Sequence, residues 1–152
     1  MFIRAVIDTN VLFEGLTKQG GSSGLVIDLW LAGVFQPCVS DTLVYEYLDV
    51  FQRKLSQTRW QEIEPVLEKL LHKVEFVIPY YSWRPASPDP GDDHLINCAM
   101  NGRAMVVTLN RRDFRLAEQQ LKLTVLSPLE FIALLTTKPS KGNGHHPHLI
   151  RW

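Results

Sequence analysis

The 152-residue chain has few cysteines, no long apolar run and no net charge. Cys38 and Cys98 are the only cysteines, 60 positions apart and each in apolar surroundings. They read as two buried thiols in a reducing, cytoplasmic setting rather than as a disulfide. The longest apolar stretch, around residues 25–34, is interrupted by Asp28. It falls short of the roughly 18 residues that a membrane span requires. The opening Phe2-Ile3-Arg4-Ala5-Val6-Ile7-Asp8 lacks the long apolar core and small-residue cleavage site of a secretory signal. Sixteen Lys+Arg against sixteen Asp+Glu exclude a polycation that coats nucleic acid indiscriminately. There is no Gly-x-x-x-x-Gly-Lys phosphate loop, because Gly20-Gly21-Ser22-Ser23-Gly24 lacks the lysine and a strand immediately before it. No Ser–His–acid or Cys–His nucleophile arrangement can be assembled.

What the chain does have is a globular composition, 45% hydrophobic and 21% charged, at a length suited to one domain. Its charge is uneven. The stretch 138–152 holds three Lys/Arg and no acid, which leaves 13 basic and 16 acidic groups in residues 1–137. The expected organisation is a single domain over 1–137 followed by a flexible basic tail. His145, His146 and His148 in that tail are candidates for adventitious metal binding only.

Phe2–Ile7 is a short β-branched run ending at Asp8-Thr9-Asn10, which reads as a buried strand and then a turn. An amphipathic stretch opens at Ser22/Ser23 and closes on Gly33. Further strands are expected over 35–39, 74–78, 104–109 and 123–126. Helices are expected from a Ser40 or Asp41 cap to about Leu55, over 58–73, over 92–102, over 111–120 and from Ser127-Pro128 to about Leu135. Pro65 is expected in the first turn of a second helical segment. Nearly unbroken apolar strands alternating with helices indicate a mostly parallel sheet of about five strands, covered on both faces in a three-layer α/β/α sandwich.

In such sheets, ligands collect beyond the carboxyl ends of the strands. Each strand-to-helix junction delivers acid there: Asp8 after the first strand, Glu46 in the helix after the second, Asp92 and Asp93 after the third, Asp113 after the fourth. Helical phase separates neighbours. Asp92 shares the apolar face of Leu95, Ile96, Ala99 and Met100, whereas Asp93 is turned about 100° towards its border. Glu46 lies about 40° beyond Val50 on the border of its buried arc, while Asp49 lies about 100° beyond it, towards solvent. Taken singly, Asp8 is a turn former, Asp92, Asp93 and Asp113 are helix caps, and Glu46 is a solvated helix residue. Four carboxylates on one partly desolvated edge would repel one another, and a divalent cation resolves that conflict. Oxygen-only ligation suits Mg²⁺ or Mn²⁺ rather than Zn²⁺.

Asp8-Thr9-Asn10-Val11, Ser40 with Glu46, Asp92-Asp93-His94-Leu95-Ile96 leading to Ala99, and Val107-Thr108-Leu109-Asn110 leading to Asp113-Phe114 together resemble the ordered motifs of the PIN-domain nucleases. The nearest flavour is the toxin–antitoxin (VapC-like) branch, and the likeness spans roughly residues 2–132. The resemblance implies a Mg²⁺- or Mn²⁺-dependent ribonuclease with Asp8, Glu46, Asp92 and Asp113 as catalytic and metal-binding acids and Asp93 as an accessory ligand. Thr108 and Asn110 would position ligands or water, Thr9 and Asn10 would hold the first turn, and Ser40 opens the second motif. It also implies a small antitoxin partner and allows self-association. One departure is Asn110, where relatives in this branch often carry Asp. The neutral amide lowers the site's charge by one and bears on a second metal, not the first.

RNA must also be held. Arg111, Arg112 and Arg115 share a loop with Asn110 and Asp113 and are the preferred phosphate contacts over Arg53, Lys54 and Arg59. Tyr80, Tyr81 and Trp83 either stack unpaired bases or cover the core edge. His94, off the inward face, is not assigned as a ligand. Two other functions fit the same residues. One is a catalytically inactive RNA- or protein-binding module of this fold. The other is an aspartyl-nucleophile phosphatase, opposed by Asn10, which stands where that chemistry usually needs a second Asp.

Overall fold

The structure, a computed structural model, describes residues 2–83 and 93–137. Asp92 and the stretch 138–152 lie outside the described residues. Five strands form one all-parallel sheet: β1 (Arg4–Ile7), β2 (Gln36–Val39), β3 (Glu75–Phe76), β4 (Met105–Val107) and β5 (Val125–Leu126), in the order β3-β2-β1-β4-β5. The helices are α1 (Thr9–Thr17), α2 (Gly21–Leu31), α3 (Asp41–Lys54), α4 (Gln57–Leu71), α5 (Asp93–Gly102), α6 (Arg115–Leu121) and α7 (Pro128–Thr137). A 3-10 helix over Arg111–Phe114 leads into α6. Parallel crossovers are right-handed, so α1–α4 lie on one face and α5 and α6 on the other, while α7, beyond β5, packs back against α2. This is the expected α/β/α sandwich.

β1 takes the central place because Ala5, Val6 and Ile7 are all buried, with no polar side for water to claim. Its register pairs Ile7 with Val107 on one side and Ala5 with Pro37 on the other. Carried one step past the strand ends, that register sets Asp8 level with Thr108 and with Ser40. The buried Tyr47 hydroxyl donates to the Ile7 carbonyl at 2.6 Å, fastening α3 to the end of β1. A tyrosine buried on an apolar arc needs such an acceptor. On the far side of the molecule, Trp30, Phe35 and Phe131 meet edge to face in the core.

Two local expectations fail. Asp8-Thr9-Asn10 does not open a free turn; Asp8 is the N-cap of α1, extended at φ −61° and ψ 149°, with no side-chain capping bond. The helix is set by tertiary packing against α2 and α3 rather than by a capping signal. Its contact with α2 is close enough that a Cβ on Gly15 would come within 2.6 Å of Ile27 Cγ1 and of the Ser23 carbonyl oxygen. Pro65 does not start a second segment but lies inside the continuous α4. It is exposed, so the carbonyl deprived of its helical partner can be hydrated.

Candidate active site

The carboxyl edge of the sheet gathers side chains from α1, α3, α5 and the β4 loop around Asp8. Asp8 is only 8% exposed, and its Oδ2 accepts a 2.8 Å bond from the hydroxyl of the fully buried Thr108. Thr108 Oγ1 in turn accepts from the Asn110 amide nitrogen at 3.0 Å. The Asn110 side chain donates to Asp113 Oδ2 at 2.6 Å. A continuous set of bonds thus runs from Asp8 through Thr108 and Asn110 to Asp113. Asn10 takes no part in it: its Oδ1 accepts from the Leu109 amide at 3.3 Å, tying the two loops together.

Glu46 enters from the other side. Its Oε2 accepts from the Thr9 hydroxyl, and its Oε1 stands 2.9 Å from His94 Nε2. Helical phase distinguishes it from Asp49, which is exposed and paired with Arg53 at 3.4 Å. Glu46 on α3 and His94 on α5 therefore meet over the rim beside Asp8. The His94 contact is one that sequence reasoning missed, and no local pattern signals it, since the partners are 48 residues apart. Asp93 opens α5 with Oδ1 buried. Ser40 is buried and caps α3, its hydroxyl accepting from the Leu43 amide at 3.2 Å.

The electrostatics divide the two central acids. Burial pushes the Asp8 carboxyl above its ordinary value; the Thr108 bond opposes this and the Glu46 charge adds to it. Glu46 is held below its ordinary value, first by the His94 bond, which outweighs burial with help from Thr9. Among the described residues no three His, Cys, Asp or Glu side chains stand close enough to share a cation. The thiols are no alternative donors: both are free and buried, and burial pushes Cys38 up to about 11 and Cys98 to about 12.

The two basic groups separate clearly. Arg53 pairs with Asp49, Lys54 lies 5.4 Å from the centre of the Phe13 ring, and Arg59 donates to the Thr17 carbonyl at the end of α1 at 2.9 Å. All three serve their own scaffold. In the second group Arg111 is held by Glu130 at 3.1 Å and Glu118 at 3.3 Å. Arg112 and Arg115 are exposed on the same loop and the start of α6.

A family model of the PIN domain matches residues 4–112. The chain belongs to the PIN-domain family. The matched span holds Asp8, Glu46, Asp92 and Asn110 and ends one residue before Asp113. Among solved structures, this PIN domain is similar to a chain in the crystal structure of VapBC2 from Rickettsia felis bound to a DNA fragment from their promoter. The TM-score is 0.55 at 13% identity, covering 82% of this chain and 98% of that one, a likeness of fold. A comparison with curated proteins finds no match. Among the described residues no helix of the PIN domain is long and apolar enough to cross a membrane.

Proposed function

We propose that this chain is a divalent-cation-dependent ribonuclease and the toxin half of a toxin–antitoxin pair. The observation that carries the reading is the buried Asp8 carboxylate at the end of the central strand. It is held by Thr108 and faces Glu46 across the sheet's carboxyl edge. The donor set fits Mg²⁺ or Mn²⁺: it is all oxygen, and burial leaves the Asp8 charge short of compensation, which a hard cation supplies. Asp8 would hold it together with Asp92, assigned from its motif, while Glu46, Asp93 and Asp113 would have to turn inward to reach the same ion, since no three acids among the described residues stand close enough to share one. A bound cation would polarise a phosphoryl oxygen and acidify a water molecule.

The chain's own residues supply the positioning. Thr108 fixes which oxygen of Asp8 faces the rim, and Asn110 does the same for Asp113. Thr9 and His94 hold the Glu46 carboxylate from both sides. Arg112, exposed on the adjoining loop, and Arg115, exposed at the start of α6, would contact phosphate. A small antitoxin covering this edge and a homo-oligomer of the chain are the partners proposed with this reading, and the cytoplasm is its setting. An inactive binding module is favoured by one feature, the engagement of both Glu46 oxygens by protein partners. An aspartyl nucleophile is disfavoured by the burial of Asp8 and the structural use of Asn10.

The test is incubation of the full chain with end-labelled RNA in Mg²⁺, Mn²⁺ or EDTA, beside Asp8→Asn. Cutting that needs the cation and falls at least about a hundredfold in Asp8→Asn supports the reading. Undiminished cutting by a folded Asp8→Asn protein overturns it. The inactive module instead predicts no saturable rise in melting temperature with Mn²⁺.

A further inference from the structure

Past the buried Val77 the chain turns its side chains to solvent. Tyr80 is 78% and Tyr81 70% exposed, although both are large rings. The backbone of Tyr81 is nonetheless fixed. The Asn101 side chain accepts from the Tyr81 amide at 3.1 Å and donates to the Tyr81 carbonyl at 2.9 Å, so one carboxamide clasps both polar groups of one residue. The Asn97 side chain accepts from the Trp83 amide at 3.0 Å. Two asparagines, poor residues for a helix interior, are thus used on α5 to moor an extended segment.

The mooring has a direction. Asp93, Asn97 and Asn101 stand at i, i+4 and i+8 and so form one stripe along α5. Trp83 is fastened one turn from Asp93 and Tyr81 two turns, a step of about 6 Å towards the candidate site. The Tyr81 and Trp83 rings lie 6.2 Å apart, inclined at 60°, and do not stack face to face. Arg103, exposed directly after α5, adds a positive charge at the distant end of the stripe.

We propose that Tyr81 and Trp83, moored by Asn101 and Asn97, form with the adjoining Tyr80 a stacking track for unpaired bases that leads a single strand towards Asp8. This deepens the ribonuclease reading, on which it rests for its RNA. The exposed Tyr81 ring and the half-buried Trp83 ring, on a backbone already immobilised, lose little further freedom on binding, and every base offers a π-face to them. Duplex bases are stacked on one another and cannot use the track.

The test is fluorescence anisotropy of a labelled 12-nucleotide single-stranded RNA and a duplex of the same sequence. It uses the full chain in EDTA and Asp8→Asn in Mg²⁺. Single strand should bind more tightly than duplex. Tyr80→Ala and Tyr81→Ala should each weaken single-strand binding by about tenfold, with Tyr→Phe variants restoring it and melting temperatures unchanged. Asn101→Ala should weaken it as well, as a positioning residue. Equal binding of duplex, no binding of single strand, or Tyr81→Ala binding like the parent overturns the track. Asp8-dependent cutting of the same RNA with an unchanged KM in Tyr81→Ala sinks the track alone. Tyr81-dependent binding without cutting in Mn²⁺ sinks the nuclease reading and leaves the track standing.

Discussion

The Thr108 hydroxyl donates to Asp8 Oδ2 at 2.8 Å, joining the ends of adjacent central strands that are a hundred residues apart in the chain. The backbone repeats the link, with the Asp8 amide donating to the Val107 carbonyl at 2.9 Å. Thr108 is fully buried, so no water can replace its hydroxyl without rearrangement. Thr108→Val keeps the shape and removes the donor, leaving a buried carboxylate underserved. Chemical denaturation should show a loss of about 1–3 kcal/mol. An unchanged midpoint would mean that Asp8 finds another donor.

The two central acids should respond to pH with opposite sign. Asp8 has its folded pKa raised, so ionisation opposes folding and stability falls as pH climbs from the unfolded value of about 4 through the folded one. In EDTA at pH 7, Asp8→Asn should therefore melt above the parent, with the gap closing below about pH 4. Glu46 has its folded pKa lowered, so its contribution is present above the unfolded value and is lost as pH falls through the folded one. Glu46→Gln should melt below the parent at pH 7 and converge with it in acid. Melting curves across pH read both; the same sign for the two variants would contradict the assigned environments.

Gly15 sits where α1 and α2 touch. Gly15→Ala would add a methyl 2.6 Å from Ile27 Cγ1 and from a backbone oxygen that cannot swing away. The helices must separate, at a cost of about 1–3 kcal/mol despite alanine's better helix propensity. A thermal melt that rises in Gly15→Ala would show that the contact is looser than described.

Arginines on the loop after β4 should differ in their phosphate role. Arg112→Ala and Arg115→Ala should each flatten the slope of log affinity against log salt for RNA by about 0.7. Arg111→Ala should change it less, because Glu118 and Glu130 already occupy its guanidinium. A larger change at Arg111 than at Arg112 would mean that RNA displaces both acids.

The sheet and the meeting of Asp8 with Thr108 at its rim were legible because β1 and β4 are unbroken apolar runs, each ending on a polar residue that the parallel register must leave at the same edge. The placing of Glu46 at the border and of Asp49 in solvent was legible for a similar reason, since helical phase alone separates the two. Other features depend on contacts that no local pattern encodes. α1 follows Asp8 without a capping bond and is fixed by α2 and α3. The Glu46–His94 contact joins helices from opposite halves of the sheet order. Arg111, charged and beside the site in sequence, is turned to its own scaffold by Glu130 on the last helix.

The strand order has a consequence for synthesis of the protein. The first strand made, β1, stands between β2 and β4, and β4 leaves the ribosome only after two-thirds of the chain. A nascent polypeptide that stops before residue 104 has Asp8 but lacks both Thr108, which holds it, and Asp113. On the ribonuclease reading proposed above, the site would stay incomplete until β4 and the loop after it had been made.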